Sequence, residues 1–227
     1  MSIVVILQSN YLPWRGYFDL IRRADHFVFY DTAQFTKGDW RNRNRIMGRN
    51  GPIWLTLPTV TSSKFGQSIA ETRISDKRWS KRHLGTLQAE LGRSPFFREH
   101  LVQRLVQWYD TAGDMELLSE VNRFFIEGLM SILQIDTVLH SAADIPCSGD
   151  RTGRLVSICQ HLEASRYLTG PAAQNYLDID QFQKAGIAVD WMSYPNYPSY
   201  PQAGDGFHPR MSIIEAIAKL PARGLFE

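Results

Sequence analysis

From Ile3 to Leu7 five apolar, mostly β-branched residues run without a break, the pattern of a short buried strand. A polar stretch follows, and Gly16 leads into Tyr17, Phe18, Leu20 and Ile21, an apolar helix face. Strand, polar turn and helix open a parallel α/β sheet, in which ligands sit beyond the carboxyl ends of the strands. His26 to Tyr30 reads as a second strand ending at Asp31, and Ile53 to Leu57 as a third that stops at Pro58. Thr59 to Gly66 is loop-like, and Trp79 to about Ile135 is helical text with a break at Gly92 to Pro95. Strand and helix text then returns: Thr137 to His140, a helix from Thr152 to Ala164, Arg166 to Leu168, and Ile187 to Tyr194. Ser212 predicts the cap of a last helix, with Glu215 completing a capping box. The pattern predicts one α/β domain over residues 1–227. Its sheet is parallel or mixed with helices on its faces, and a helical lobe is inserted at about 76–136.

Candidate chemistry gathers where the first strands end. Gln8, Asn10, Tyr11, Trp14 and Arg15 supply donors, acceptors and aromatic faces just beyond the first strand, and Asp31 and Gln34 follow the second. Between Phe35 and Gly51, Lys37, Arg41, Arg43, Arg45 and Arg49 face a single acid, Asp39, for a local charge of 5 − 1 = +4. Trp40, Asn42 and Asn44 interleave with them. Arginines bind phosphate bidentately and stack on rings, so this segment suits a phosphorylated ligand such as a nucleotide or nucleotide sugar. A solvated basic face is the alternative. Asp31 is the candidate carboxylate for orienting a substrate, whereas Asp19 is expected to face outward on the following helix. Lys81 and His83 stand two apart at a helix start, too far round for a shared metal, and His83 is the candidate base or phosphate ligand. From the carboxyl half, Tyr167, Gly170, Tyr200 and Gln202 are expected to close the crevice. The segment Tyr194 to Phe207, with prolines at 195, 198 and 201 and Gly204 and Gly206 beyond them, reads as a closing lid.

Composition narrows the classes. With 227 residues, 44% of them hydrophobic, the chain can bury a core, and a net charge of +2 argues against a dedicated duplex-DNA binder. No apolar run approaches the ~20 residues of a membrane span, and no secretory leader precedes the first strand. Cys147 and Cys159 form no Cys-x-x-Cys motif, so reduced thiols and a cytoplasmic location are expected. There is no zinc motif, phosphate loop, Gly-x-Gly-x-x-Gly or Gly-x-Ser-x-Gly, and no metal is expected.

The segment Gln-Ser-Asn-Tyr-Leu-Pro-Trp-Arg-Gly-Tyr-Phe-Asp at 8–19 resembles the signature of the WbqC-like family. Asp31, Gln34, the segment 37–44, Trp54 to Pro58, Trp79 with Lys81 and His83, Tyr167 to Gly170, Tyr176-Leu177, Phe207, Pro209 and Ser212 fit the same pattern. Ser9, Thr32 and Leu91 depart from it, at positions where proline, an acid and tyrosine are usual. The resemblance implies surface-polysaccharide (O-antigen) biosynthesis and transfer of a glycyl or other acyl group to an amino sugar or similar amine. A nucleotide or nucleotide-activated donor would be the cofactor, and charged transfer RNA is an alternative partner. Lys37 and Arg43 would hold the donor phosphate, Asp31 would orient the acceptor, and Tyr11 and Trp14 would stack on a ring. Two alternatives stand beside it. One is a non-catalytic nucleotide-sugar binder or scaffold. The other is an adenylating enzyme, because Trp14-Arg15-Gly16-Tyr17 resembles in placement the His-x-Gly-His turn of nucleotidyltransferases.

Overall fold

The computed structural model describes residues 2–61, 66–204 and 206–226. Five strands form the main sheet: β1 (Ile3–Leu7), β2 (His26–Phe29), β5 (Val138–Ser141), β6 (Arg166–Thr169) and β7 (Ala188–Trp191), in the order β5-β2-β1-β6-β7. Every pair is parallel. Leu7 pairs with Phe29 and Phe29 with Ser141, so three strands end level and their loops emerge on one edge. Both faces of the sheet are covered, which is why these strands are apolar without alternation. Val5, Phe27, Phe29 and Leu168 face one side, toward α1 (Arg15–Ile21), α7 (Ile213–Lys219) and the helical lobe. Val4, Ile6, Val28 and Tyr167 face the other, toward α5 (Arg151–His161) and α6 (Ile179–Lys184).

The third strand expected at Ile53–Leu57 lies outside this sheet. It forms β4 (Gly51–Thr56), paired antiparallel with β3 (Arg43–Gly48) in a separate hairpin. The basic segment is thus itself a strand, with Asn44 and Ile46 turned inward and Arg43 and Arg45 partly exposed. Three helices, α2 (Trp79–Leu91), α3 (Val102–Ala112) and α4 (Leu118–Leu133), fill the stretch between β4 and β5, with a π turn at Phe97–Leu101 leading into α3. Their apolar stripes join the core on the α1 face through Trp79, Leu105, Phe125 and Leu129, all fully buried.

Three local expectations are corrected. Asp19 is fully buried on α1, where Arg22 and Arg23 pair with its carboxylate at 2.8 and 2.9 Å and the Tyr197 hydroxyl donates to it at 2.8 Å. Glu215 makes no capping box. Its carboxylate reaches back to the Met47 amide of β3 at 2.6 Å and to the Gln202 side chain at 2.8 Å, while Ser212 alone caps α7. Burial raises the Glu215 pKa. The expected lid is tied down: Arg15 donates to the Pro198 carbonyl, Lys219 to the Pro201 carbonyl, and Gln202 bridges Glu215 and His208. Asp205 of that segment, and residues 62–65 of the expected Thr59–Gly66 loop, lie outside the described residues.

Candidate functional site

The strand order reverses between β1 and β6: β1 is followed on one side by β2, and the chain later returns through α5 to lay β6 on the other side. At such a switch point the two connections diverge over opposite faces and leave a crevice beyond the strand ends. A cleft of about 650 Å³ lies there. Its floor is Ile6, Leu7 and Gln8 of the β1 end with Tyr167 of β6. One wall is Tyr30, Thr32 and Arg41, and the other is the first turn of α5, from Gly149 to Arg154.

The electrostatics of this cleft favour an anion. Arg41, Arg151 and Arg154 border it, and the N-terminal end of α5 adds its dipole. Asp150 is committed to capping that helix, accepting from the Gly153 amide at 2.7 Å, a bond that also holds its pKa down. Arg41 donates to the Gln8 side-chain oxygen and pairs with Asp39 at 3.2 Å. Arg151 lies over the Tyr176 ring at 3.7 Å, which positions its guanidinium at the rim.

Asp31 sits just beneath the floor. Its carboxylate accepts the Ser9 amide at 2.8 Å and the Ser9 hydroxyl, tying the end of β2 to the loop after β1. Burial raises its pKa to about 6, against the lowering effect of the Ser9 bonds and of Arg41 and Arg123. Asn122 of α4 donates to the Ser9 hydroxyl at 3.1 Å and to the Arg41 carbonyl at 2.9 Å, so the helical lobe braces the same floor.

The remaining sequence-marked residues divide sharply. Tyr11 is fully buried, its hydroxyl 2.9 Å from both His83 Nδ1 and the Tyr109 hydroxyl, and it packs edge-on against Trp79 and Phe125. His83 is therefore a core group outside the cleft lining, and desolvation lowers its pKa to about 4. Asn42 and Asn44 are buried scaffolding: Asn42 donates to the Leu57 carbonyl, and Asn44 to the carbonyl of Leu12, whose φ of 44° is left-handed. Together with the Tyr11 amide bonded to the Trp40 carbonyl, they fix the loop that carries Asn10 and Trp14. Gln34 and Lys37 are exposed, and neither borders the cleft. Arg43 lies over the Trp54 ring at 4.3 Å. Tyr200 and Gln202 pack on the α1 and α7 side, with Tyr200 under Arg15 and Lys219. Gly170 begins the turn after β6, where an added Cβ would meet the Tyr194 hydroxyl at 3.5 Å.

A second, smaller space of about 150 Å³ opens beside the cleft, bounded by Pro13, Trp14, Trp40, Asn44 and Arg210. Asn10 borders both spaces. Sequence reasoning missed the α5 wall, although Ser-Gly-Asp at 148–150 ahead of a helix is a capping signal at the turn between strand and helix. It also missed the pairing of His26 Nδ1 with His140 Nε2 at 3.0 Å across β2 and β5. Among the described residues, no three His, Cys, Asp or Glu side chains gather to hold a metal ion, and no helix is long and apolar enough to cross a membrane.

Fold and cleft together define a doubly wound parallel α/β protein with an open cleft at its strand-order switch. The chain belongs to the WbqC-like protein family, whose family model matches residues 8–224. It is similar to the uncharacterized protein Rv1507c of Mycobacterium tuberculosis, 38% identical over 222 residues that cover 98% of this chain and 95% of that protein. No solved structure matches it.

Proposed function

We propose that this protein is a group-transfer enzyme that binds a phosphate-activated donor in the switch-point cleft and passes its acyl or aminoacyl group to an amine, such as that of an amino sugar in surface-polysaccharide biosynthesis. The observation that carries the donor half is the convergence of Arg41, Arg151, Arg154 and the first turn of α5 on one 650 Å³ space. A nucleoside diphosphate fits a space of that size, and bidentate arginines recognise its phosphates. The acyl half rests on the family resemblance.

In the transfer, the acceptor nitrogen bonds to the acyl carbon while the bond from that carbon to the phosphate oxygen breaks. The phosphate departs with the electron pair and takes the proton lost by nitrogen. Arg41, Arg151 and Arg154 stabilise the departing charge, as cations aimed at developing negative charge do. Gln8 and Asn10 orient the reactants through their amides. Asp31 is a positioning residue: it holds Ser9, and through it the two neighbours that meet the substrates. A charged transfer RNA would present the same acyl group on a ribose oxygen.

A second reading, a non-catalytic nucleotide-sugar carrier, is favoured by one observation. The cleft's bordering acid, Asp150, is spent on the helix cap, and Asp31 lies below the floor. A thermal-shift screen with ADP, nucleotide sugars, acyl phosphates and aminoacyl donors tests binding. Release of phosphate from an acyl donor, dependent on added amino sugar, then separates enzyme from carrier. If no donor stabilises the protein at millimolar concentration, the donor assignment fails.

A further inference from the structure

We propose that the 150 Å³ pocket between Trp14 and Trp40 is the acceptor subsite, that it takes a single pyranose ring, and that Asn10 marks the seam where acceptor meets donor. The assignment rests on the donor occupying the larger cleft.

Size is the first argument. A space of about 150 Å³ is far below the neighbouring 650 Å³ and takes no more than one ring, since a closed cavity of that volume takes up benzene, so the substituents of a pyranose would reach out of its mouth. The walls are the second. Trp14 packs against Tyr194 at 5.0 Å and Tyr197 at 6.1 Å. Its ring lies over Gly16 so closely that a Cβ there would come within 2.3 Å of it, which is why this turn needs glycine. Trp40 stands 40% exposed, backed by Trp54 at 5.8 Å, and Arg43 sits over the far indole. Two large aromatics border one open space, and an indole face suits the C–H face of a sugar ring.

Polar groups supply the third argument. Asn10 is half-buried and lines both spaces, so its side-chain amide brings donor and acceptor chemistry to their junction. Arg210 is exposed at the rim and offers donors to ring or hydroxyl oxygens. Asn44 is not available, because both ends of its amide are engaged, with the Leu12 carbonyl and the Arg45 amide. A ring with hydroxyl or amine groups on one edge and apolar C–H faces suits an amide, a guanidinium and two indoles together. Because Asn10 borders both spaces, a ring seated here holds one substituent at the mouth of the donor cleft.

The test uses the full chain and three probes: D-glucosamine, ADP and a single-stranded oligoadenylate RNA, each followed by saturation-transfer NMR and tryptophan fluorescence. D-glucosamine is expected to bind in the millimolar range and quench tryptophan, and Trp40→Ala and Arg210→Ala should each weaken it about tenfold or more. The same variants should leave ADP binding unchanged, while Arg154→Ala should weaken ADP and spare D-glucosamine. Both substituted side chains are exposed, so folding is retained, and wild-type binding alone is already decisive. ADP binding without D-glucosamine binding overturns the pocket assignment and leaves the donor cleft standing. D-glucosamine binding without ADP removes the donor cleft. RNA binding that Trp40→Ala abolishes, with no sugar binding, overturns the pocket assignment in favour of a nucleic-acid platform.

Discussion

Two regions of this molecule are built from similar residues and end in opposite states. At the seam between lobe and sheet, Tyr11, Trp79, His83, Tyr109 and Phe125 pack together, and the Tyr11 hydroxyl meets both His83 and the Tyr109 hydroxyl. At the strand-order switch, Gln8, Asn10, Arg41, Arg151 and Arg154 surround open space. Both contain aromatics beside titratable or amide groups, which is why both look functional in sequence. What separates them is enclosure: at the seam the hydroxyls and the imidazole meet inside a closed core, whereas at the switch the amides and guanidiniums border a space that a ligand can enter. The titrations diverge accordingly. Burial drives His83 toward its neutral form, with a pKa of about 4, and drives Asp31 toward its own neutral form, with a pKa of about 6.

Breaking the seam should have the largest effect. Phe125→Ala removes a fully buried ring that meets Tyr109 at 4.9 Å and Tyr11 at 5.7 Å. It should cost about 3–5 kcal/mol in urea unfolding.

The pH dependence comes next, with two opposed slopes. Asp31 binds its proton more tightly folded than unfolded, so its contribution to stability falls as pH rises from about 4 to about 6. His83 binds its proton less tightly folded than unfolded, so its contribution rises from pH about 4 to its unfolded pKa of about 6.5. Each amounts to about 3 kcal/mol at most, and they nearly cancel. Asp31→Asn should expose a rising profile and His83→Gln a falling one. Parallel profiles in the two variants would contradict the assignment.

Smaller still is Tyr11→Phe, which strips the hydroxyl shared by His83 and Tyr109. A loss of about 1–3 kcal/mol is expected, because two buried groups lose a partner. Affinity for a cleft ligand should not change, and a parallel loss of affinity would erase the contrast between the two regions.

How much of this was legible follows from the range of each interaction. The β1 run, the strand ending at Asp31 and the lobe's apolar stripes are local patterns, and each produced the element expected. The strand Arg43–Gly48 stayed hidden because its outward positions are arginines, the side chains that suggest a solvated run, and the Asn50-Gly51 turn signal went unused. Asp19 and Glu215 were misplaced because their partners, Tyr197 and Met47, are far away in sequence. In the site, the β1 loop was visible from its residue types. The opposite wall at Gly149 to Arg154 reaches it only because the crossover through α5 lays β6 beside β1. A sequence read segment by segment carries no trace of that juxtaposition.

The claim that the switch-point cleft is the anion-binding site is tested most directly by calorimetric titration of ADP into wild type, Arg41→Ala, Arg154→Ala and His83→Gln. Wild type should bind at millimolar affinity or better, with each arginine variant about tenfold or more weaker and His83→Gln unchanged. No binding to wild type, or binding that neither arginine substitution weakens, would contradict it.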